Sequence, residues 1–458
     1  MRTLEISPIG RVRALPDRWR WVVPALGFAV LALAIALYRL DPPVYFDVLT
    51  AMMMRPYPVP LIDAAQIPTL VECWRNGADV FVDASCDPLN RVLAYSPLFL
   101  WLFYPMSGPG WATGFGLALD AAFLLSLTLL PPPRRWLEVM LLAVATFSSL
   151  PAFALERANM DVAMFVLIAV GGWCCWRGPI ARLFGYAALT LAGLLKFYPL
   201  VLFLLFLRER LSLFLALSLA AAGILAGFLW LFHAELAEMV RNLPTTSYFT
   251  DGFGVRQLPF GLGFVLQSLS AELGLDDTAL VRSLGLPINA ILIVDVFVLM
   301  IFLSLGIGIQ LATRRAFRRA FADLTAEQRG FLVAAAVLFC GCFFAGQNLS
   351  YRGIHFIFAV PGIVALATSP VSGAIRRVFR VTLAAMLLVL WGLTLQQVVA
   401  GLSGATDSPM QGSIAIDLYW IVHELAWWWL IAVFLGVLFC FVGQSPVWPA
   451  LLRIRRPA

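Results

Sequence analysis

The sequence predicts an all-α polytopic membrane protein, a single integral membrane domain over residues 1–458, and three observations support this prediction. Hydrophobic residues make up 61% of the chain and charged residues only 13%, whereas a soluble domain carries roughly 25% charged residues. Apolar runs recur along the whole chain, several at the ~20-residue length that a membrane-spanning helix needs. Arginine residues separate these runs, as expected where short polar segments connect successive spans.

Nine apolar runs are the clearest candidates for spanning helices. Together with the segments between them they predict about ten full spans plus one broken or re-entrant pair, about twelve helices in all. The first run has no small-residue cleavage site at its end, so it is interpreted as an uncleaved span and not as a signal peptide. The runs are 21–39, 111–130, 136–153, 161–176, 211–232, 288–312, 331–346, 380–399 and 421–442.

The basic residues predict the orientation of the chain. Seven short segments hold 22 of the 32 Lys and Arg residues, and the positive-inside rule places such segments in the cytoplasm. Both termini, 1–20 and 443–458, would then be cytoplasmic, while 20 of the 26 acidic residues lie on the other side or within spans. The outer face is therefore the expected place for polar chemistry. Because the arginines are spread over many connections, the charge of +6 does not indicate a nucleic-acid partner.

Residues 182–207 do not fit a single span. They lie between Arg182 and Arg208, which both belong on the cytoplasmic side, and the only lysine of the chain, Lys196, interrupts the apolar run at Lys-Phe-Tyr-Pro 196–199. Two helices that meet at this point keep both arginines on one side. A broken helix is tolerated within a membrane where it is buried in protein or lines a wet cavity. We therefore expect a cavity at 196–199.

The longest polar stretch, 40–110, is predicted to be the first outer loop with helices at the membrane surface. Pro68 suits a first helical position and Gly77 suits a helix end, so a helix is expected over the residues between them. Leu70, Val71 and Trp74 would lie on the face of this helix that contacts the membrane surface. Further non-spanning segments are predicted at 95–105, as a second interfacial helix, and at 233–287 and 400–420, as outer loops.

Two of the seven cysteines, Cys73 and Cys86, lie 13 residues apart in this first outer loop. A disulfide between them suits an oxidising compartment, and a metal site is the less favoured alternative because no His lies nearby in sequence. The other five cysteines lie in apolar runs and are interpreted as small apolar fillers.

Asp63 is the first candidate catalytic residue. An acid at the lip of a membrane cavity can act as general base and accept a proton from a sugar hydroxyl. The alternative is a solvated loop carboxylate, and other acids of the same loop, Asp47 among them, compete for the role.

Four polar residues occupy six positions at the next outer junction: Glu156, Arg157, Asn159 and Asp161. Such a group between apolar runs is costly unless its members pair or have a function. Two compatible interpretations remain open, an ion-pair network that ties two helix ends together and a group that positions a substrate.

Cations gathered near a membrane cavity suit a phosphate. Arg352 can bind phosphate in a bidentate fork, His355 adds a donor, and Tyr351 precedes them in the same segment. Lys196 can point into the cavity, although a lysine whose amine reaches the interface is the alternative. A lipid-phosphate sugar donor would need such cations for its leaving phosphate and an acid for the attacking hydroxyl. One base and one assisted leaving group would give inversion, by analogy with inverting glycosidases.

The order of these motifs resembles the GT-C membrane glycosyltransferases. It looks most like glycosyltransferase family 87, the polyprenol-phosphate-mannose-dependent α-1,2-mannosyltransferases. The resemblance covers roughly residues 20–400, and it departs from the family at Ala158, where Gly is usual, and at Ser96, where Pro is usual. The motifs are Arg-Asn-Gly-Ala-Asp-Val-Phe at 75–81, Tyr-Ser-Pro-Leu at 95–98, Glu-Arg-Ala-Asn-Met-Asp at 156–161, Leu-Lys-Phe-Tyr-Pro at 195–199 and Asn-Leu-Ser-Tyr-Arg at 348–352.

The resemblance implies a GT-C fold of about a dozen helices and a polyprenyl-phosphate-sugar-dependent hexosyltransferase. It implies a polyprenyl-phosphate donor, with mannose as the expected sugar and arabinose or galactose left open. The acceptor would be a glycolipid, a polysaccharide or another lipid-linked glycan. The enzyme would lie in the bacterial inner membrane with its site facing the periplasm or exterior. It would use no nucleotide sugar and no metal or other cofactor, since the outer acids form no Asp-x-Asp pair.

The resemblance also implies roles for individual residues. The family's acid in the first outer loop falls on Asp63, with Asp47 as the second choice. Donor phosphate binding falls on Lys196, Tyr351, Arg352 and His355. Substrate positioning falls on Tyr95, Glu156, Arg157, Asn159 and Asp161.

Two other classes of protein remain open. A secondary transporter or flippase of a lipid-linked or anionic substrate would explain the broken helix and the buried lysine, although the chain shows no internal repeat. A structural membrane protein would tolerate loss of Asp63, Lys196 or Arg352 with consequences for stability alone.

Overall fold

The computed structural model describes residues 15–242 except 53, 55 and 58, residues 248–249, 252–272, 288–404 and 413–454. The predicted segments 1–20, 233–287, 400–420 and 443–458 lie partly outside the described residues. The described residues are mainly helical and include one antiparallel strand pair, Gly252–Phe253 with Asn348–Leu349. The predicted all-α class is confirmed.

Most of the described helices follow one another with short connections, and residues 76–97 are an exception. The first part forms α1 (Val22–Leu40), α2 (Pro42–Ala51), α3 (Ile62–Arg75), α4 (Leu98–Leu102), α5 (Ala112–Ser126), α6 (Trp136–Thr146), α7 (Ser149–Glu156), α8 (Met160–Cys175), α9 (Pro179–Lys196), α10 (Leu211–Leu231), α11 (His233–Arg241) and α12 (Gln257–Glu272). The second part forms α13 (Ile288–Thr313), α14 (Arg315–Ala322), α15 (Ala326–Ala345), α16 (Val360–Ala367), α17 (Gly373–Leu390), α18 (Gly392–Ser403), α19 (Ile414–Gly443) and α20 (Val447–Ile454). Short 3-10 helices lie at Asp17–Trp21, Pro109–Trp111, Leu127–Leu129, Tyr198–Arg208 and Ser350–Phe358.

Six of the described helices are long and apolar enough to cross a membrane, and up to nine spans result if each of three bent helix pairs counts as one. The protein is therefore a multi-pass membrane protein by length and composition. The finer expectations of about ten full spans and of a GT-C fold stay predictions. The bent pairs are α6 with α7, Ser350–Phe358 with α16, and α17 with α18.

The predicted break at Lys196 is present and produces a hairpin. The first arm, α9, ends at Lys196, Phe197 adopts a left-handed φ of 58°, and the second arm is the 3-10 helix Tyr198–Arg208. The arms pack closely, because a Cβ added at Gly193 would lie 2.5 Å from Cδ2 of Leu200. By their lengths of 18 and 11 residues the arms are about 27 and 22 Å long. The hairpin thus reaches across most of a ~30 Å hydrocarbon layer.

The open end of the hairpin is closed by a group that we call the base cluster: Arg182, Tyr186, Arg208 and Glu209. The Arg182 guanidinium lies 3.0 Å from Glu209 Oε2, and the Tyr186 hydroxyl donates to Glu209 Oε1 over 2.7 Å. Arg208 donates to the Cys175 carbonyl at the end of α8, 3.0 Å away, and its guanidinium stacks on the Trp176 ring. The start of the first arm and the end of the second arm therefore lie at the same end of the hairpin, as the two-helix prediction requires.

The helix expected to begin at Pro68 begins earlier, at Ile62, so that part of the prediction is wrong. The backbone N–H of Leu61 donates to the Glu156 carbonyl and that of Asp63 to the Arg157 carbonyl, over 2.8 and 3.0 Å. These contacts with the α7–α8 junction stabilise a first helical turn before Pro68. The proline in the sequence could not predict this turn. The helix ends as expected before Gly77, whose φ of 92° is readily adopted only by glycine.

The expected membrane-facing side of α3 is also wrong. Leu70 and Val71 are buried in the protein, and the neighbouring Trp74 packs edge-on against Trp101 and Tyr104. Trp101 belongs to α4, a five-residue helix within the predicted 95–105 segment. The first loop is thus packed onto the helical core through α3.

The 3-10 helix Ser350–Phe358 is buried over nearly all of its length. Phe356 stacks on Phe339 of α15 with ring centroids 3.7 Å apart, and Phe358 stacks on Phe165 of α8 at 4.2 Å. This apolar packing fixes the backbone that carries Tyr351, Arg352 and His355.

Candidate functional site

Asp63 lies in the first turn of α3 and is almost completely buried. Its carboxylate accepts four hydrogen bonds: from Arg91 Nη1 at 2.7 Å, from Arg157 Nε and Nη2 at 2.9 Å each, and from Asn159 Nδ2 at 2.7 Å. Burial by itself would raise the pKa of Asp63, but the guanidinium groups of Arg157 and Arg91 hold that pKa below its ordinary value. The carboxylate is therefore ionised at neutral pH.

Arg91 was not singled out from the sequence, and its position is set by the first loop. Asp87 accepts from Arg91 Nε at 2.8 Å and also from the backbone N–H groups of Leu89 and Arg91. Asn90, between them, has a left-handed φ of 51°. The loop is tied to α3 by the disulfide Cys73–Cys86, whose Cα atoms are 6.2 Å apart. The structure thus contains the disulfide expected from the sequence, close to the segment that aims Arg91 at Asp63.

Lys196 lies at the tip of the hairpin and contacts a second buried acid. Its Nζ is 2.8 Å from Asp161 Oδ2 and donates to Asn159 Oδ1 over 3.1 Å. The aromatic rings of Tyr95 and Tyr351 lie on either side, 5.2 and 5.7 Å from Nζ. Lys196 is therefore held in the protein and does not extend to a membrane surface.

Asn159 connects the two acids. Its amide nitrogen donates to Asp63, and its amide oxygen accepts from Lys196 and from the backbone N–H of Asp161, as the cap of α8. Asn159 is buried, and all of its polar groups named here are engaged. A change at one acid is therefore transmitted directly to the surroundings of the other.

Tyr198 and His355 extend the network away from Lys196. The Tyr198 hydroxyl donates to Asp161 Oδ1 over 2.8 Å and lies 2.6 Å from His355 Nε2. Because the tyrosine proton is directed to Asp161, His355 Nε2 must donate to the Tyr198 oxygen, which leaves Nδ1 as an acceptor. His355 Nδ1 has no hydrogen-bond partner among the described residues.

Arg352 completes the cationic side of the site. Its Nε lies 3.9 Å from Asp161 Oδ2, its guanidinium lies over the Tyr198 ring at 4.7 Å, and it donates to Asn348 Oδ1. Asn348 belongs to the strand that pairs with Gly252–Phe253, so the second loop supports Arg352. We call the whole group the tip cluster: Asp63, Asp87, Arg91, Tyr95, Arg157, Asn159, Asp161, Lys196, Tyr198, Tyr351, Arg352 and His355.

The charges of the tip cluster are not evenly matched. On one side two cations, Arg91 and Arg157, face two acids, Asp63 and Asp87. On the other side Lys196 and Arg352 share the single carboxylate of Asp161. The N-terminus of α8 and the C-terminus of α9 meet there, and their opposite dipole ends offset each other. One positive charge therefore remains beside Lys196 and Arg352.

The cations are also the accessible members of these pairs. The side chains of Arg91 and Arg352 are 31% and 22% exposed, whereas those of Asp63 and Asp161 are 1% and 0% exposed. The Lys196 side chain is 7% exposed, so an anion that approaches the cluster would meet a guanidinium group first, before the Lys196 ammonium or a carboxylate.

Backbone strain is concentrated around the tip cluster. Five residues other than glycine have left-handed φ angles in the described chain, and four of them lie within two residues of a cluster member: Leu61, Asn90, Ala158 and Phe197. Each costs of order 1 kcal/mol or more, and such strain gathers at functional sites. At Ala158, φ is 46°, a conformation that favours glycine.

The structure brings together every predicted site residue except the side chain of Glu156. Both carboxylate oxygens of Glu156 lack a hydrogen-bond partner among the described residues, and its backbone carbonyl instead anchors Leu61. The alternative base, Asp47, is exposed on α2 and has no ion pair with a described residue.

Sequence reasoning missed three contributors: Arg91, Asp87 and Tyr198. Tyr198 stood within a quoted motif, and its position two residues after Lys196 was the available signal. Arg91 is a base in a loop that is otherwise rich in acids, which was a weaker signal. Asp87 was one of several acids in that loop, and nothing in the sequence marked it as buried.

No protein-family model, curated protein or solved structure matches the chain. The functional argument therefore depends on the chemistry of the tip cluster.

Proposed function

We propose that the protein transfers a sugar, with mannose as the expected one, from a polyprenyl-phosphate donor to a glycolipid or glycan acceptor. The observation that carries this proposal is the pairing of Lys196 and Arg352 with one shared acid, Asp161. A polyprenyl-phosphate sugar is a phosphodiester with one negative charge, which matches the one positive charge left beside these residues. In this proposal the tip cluster faces the outer side of a bacterial inner membrane, as the basic segments predict.

The donor phosphate would bind between Lys196 and Arg352. Arg352 offers a planar fork that fits phosphate oxygens, and Lys196 adds a compact charge. Tyr95 and Tyr351 flank Lys196 and would shield the phosphate from water. Tyr198 and His355 fix Asp161, and through it the two cations, so we assign them as positioning residues.

Transfer would be a single displacement at the anomeric carbon. The acceptor oxygen forms the new bond, the bond from the anomeric carbon to the phosphate oxygen breaks, and the phosphate keeps that electron pair. Its charge rises from one to two, and cations already in place stabilise the added charge. The proton of the acceptor hydroxyl goes to Asp63, and a single displacement inverts the anomeric configuration.

Asp63 can accept this proton only after one of its hydrogen bonds is released. The bond from Arg91 is the one that comes from the most exposed partner, since the Arg157 side chain is 13% exposed and that of Arg91 31%. The acceptor hydroxyl would take the place of Arg91 at Oδ1. Arg91 would then be retained near the site by Asp87.

The hairpin also suits a secondary transporter or flippase, because transporters bind substrates at discontinuous helices. The two functions differ in their product. A transporter releases the lipid-linked substrate unchanged, whereas a transferase yields a polyprenyl phosphate and a glycosylated acceptor.

The test is to incubate purified protein in detergent with labelled polyprenyl-phosphate mannose and a native lipid extract, and to identify products by mass spectrometry. We expect a new mannosylated lipid together with polyprenyl phosphate. A folded protein that leaves every polyprenyl-phosphate sugar intact, and moves the donor across proteoliposomes instead, would reject the transferase and support the transporter. Parallel incubations with arabinosyl and galactosyl donors would identify the sugar.

A further inference from the structure

Seven exposed arginines form a patch that has no role in the proposed reaction. We call it the arginine patch: Arg314, Arg315, Arg318, Arg319, Arg376, Arg377 and Arg380. Within the part of the chain that the structure describes, none of the seven forms an ion pair. Asp323, also exposed, lies one residue beyond α14 and leaves the patch strongly positive.

Apolar packing brings the two halves of the patch together. The short helix α14 buries Phe317, Ala320 and Phe321, so its arginines face away from the protein. Phe317 stacks on Phe379 of α17, with ring centroids 5.8 Å apart. Because both rings are fully buried, the arginines of α14 and of α17 are held on one surface and do not depend on flexible loops.

The patch lies at the end of the molecule that holds the base cluster. The spanning helix α13 ends at Thr313, just before the patch, and α15 begins at Ala326, just after α14. In the first turn of α15, Glu327 pairs at 3.8 Å with Arg177, which adjoins Trp176 of the α8 end. The arginines therefore lie where spanning helices emerge from the membrane, on the side opposite to the tip cluster.

We propose that the arginine patch binds the phosphate groups of anionic phospholipids in the leaflet beside the base cluster. Guanidinium groups hold phosphate oxygens in bidentate pairs, and basic clusters next to spanning helices recognise anionic headgroups. The adjoining helix α13 exposes large apolar side chains such as Phe302 and Ile309. Acyl chains can lie along this helix while the headgroup contacts Arg314 and Arg315. The site does not depend on the proposed transferase function.

The experiment is a titration of detergent-purified full-length protein with cardiolipin, phosphatidylglycerol and phosphatidylcholine, with bound lipids counted by native mass spectrometry. The test variant changes Arg314, Arg315, Arg318 and Arg319 to Gln, and a second variant changes Arg376, Arg377 and Arg380 to Gln. A matched control changes Arg134 and Arg135 to Gln, since these basic residues lie outside the patch. A further variant replaces the four α14 arginines with Lys, which keeps the charge and removes the fork.

We expect the wild-type protein to retain the two anionic lipids over phosphatidylcholine. Each Gln variant should weaken this retention by ~10-fold or more, the Lys variant should lie between wild type and Gln, and the control should match wild type. Equal retention of all three lipids by the wild type would overturn the proposal. So would Gln variants that are monodisperse and bind as wild type does, or displacement of the lipids by millimolar inorganic phosphate, which would show an unspecific anion site.

Discussion

The two ends of the hairpin each hold a buried ionic group, and the two groups are built differently. The base cluster joins the start of one arm to the end of the other through Glu209, and its second arginine caps the carbonyl end of α8. The tip cluster draws on α3, the first loop, the α7–α8 junction, the hairpin and the segment Ser350–Phe358. Both contain a tyrosine hydroxyl bound to a buried carboxylate, at 2.7 Å in the base cluster and 2.8 Å in the tip cluster.

The difference lies in strain and in charge. Of the described left-handed residues other than glycine, four lie within two residues of a tip-cluster member and none lies that close to a base-cluster member. The positive charge of Arg208 is directed at a helix C-terminus and an aromatic ring, both favourable for a cation. In both clusters two cations share one acid, because Arg208 Nε also lies 3.5 Å from Glu209 Oε1. At the tip cluster, however, the dipole ends of α8 and α9 offset each other, so the surplus positive charge there has no helix C-terminus to compensate it. A structural clamp has no need of strained backbone or of an uncompensated positive charge, so the comparison assigns stability to the base cluster and substrate chemistry to the tip cluster.

The largest expected difference separates Lys196→Met from Arg182→Met. Each removes one cation from a buried acid that keeps its other partners, so we expect both to lower the free energy of unfolding by ~1–3 kcal/mol. Lys196→Met should in addition reduce sugar transfer per folded molecule by ~100-fold or more, as loss of a preorganised charge-stabilising group does. Thermal unfolding midpoints and transfer rates of both variants, measured on the monodisperse fraction, test this. Equal transfer rates in Lys196→Met and Arg182→Met would contradict the proposed difference between the two clusters.

A second comparison, with a smaller expected effect on transfer, uses the two tyrosines. Tyr186→Phe and Tyr198→Phe each delete a hydroxyl that donates to a buried carboxylate, so each should cost ~1–3 kcal/mol of stability. Tyr198→Phe should also slow transfer by ~10-fold, because Asp161 and His355 lose the group that joins them. If Tyr186→Phe slows transfer as much as Tyr198→Phe does, after correction for folded protein, the role of Tyr198 as a positioning residue fails.

The variant Arg91→Met tests whether Asp63 is the general base. The variant removes a cation that lowers the pKa of Asp63, so that pKa should rise toward its ordinary value. Transfer needs the ionised carboxylate, and the acid limb of the pH–rate profile should therefore move to higher pH while the rate at pH 8 changes less. The profile of kcat/KM between pH 3 and 8 measures this shift. An acid limb at the same pH as in the wild type would show that Asp63 is not the base or that Arg91 does not lower its pKa.

The same ion pairs affect stability with a defined sign. The folded pKa of Asp63 lies below its ordinary value of 3.8, so its contribution is present above that value and is lost as the pH falls through the lowered folded pKa. In Arg91→Met the contribution should be smaller, and its loss should be complete at a higher pH than in the wild type. Unfolding midpoints recorded from pH 7 down to pH 3 report this difference.

The smallest effect on sugar transfer is expected from removal of the disulfide. Cys73→Ser with Cys86→Ser opens a loop of 13 residues, which should lower stability by ~2–3 kcal/mol. Because Asp87 still orients Arg91, transfer should fall by no more than a few-fold. Midpoints with and without reductant, together with a count of free thiols, test this prediction. A complete loss of transfer in a folded variant would show that the loop does more than position Arg91.

The sequence predicted those features that follow from charge and hydropathy along the chain. The alternation of arginines predicted that Arg182 and Arg208 lie on the same side, and the base cluster confirms that they lie at the same end of the hairpin. The polar residues at 156–161 and around Lys196 were expected near one another because each was costly in a membrane on its own. Their assembly at the hairpin tip is what the structure shows.

The remaining features depend on contacts between distant segments. The early start of α3 results from hydrogen bonds to the carbonyls of Glu156 and Arg157, about 95 residues away in the chain. Arg91 could not be distinguished from other loop arginines, because its role is set by the burial of Asp63 and Asp87. The left-handed conformation of Ala158 is likewise imposed by its surroundings, since alanine has no preference for it.

The most direct test of the central claim is a comparison of lipid binding at the tip cluster. Purified protein is titrated with polyprenyl-phosphate mannose, with polyprenyl phosphate and with neutral polyprenol of the same length, and bound lipid is measured by native mass spectrometry. We predict that both phosphate-bearing lipids bind at least ~100-fold more tightly than the polyprenol, and that Arg352→Ala removes most of this preference while Arg182→Met retains it. Equal affinity for the three lipids, or a preference that survives Arg352→Ala and Lys196→Met, would contradict the assignment of the tip cluster to a lipid-linked phosphate.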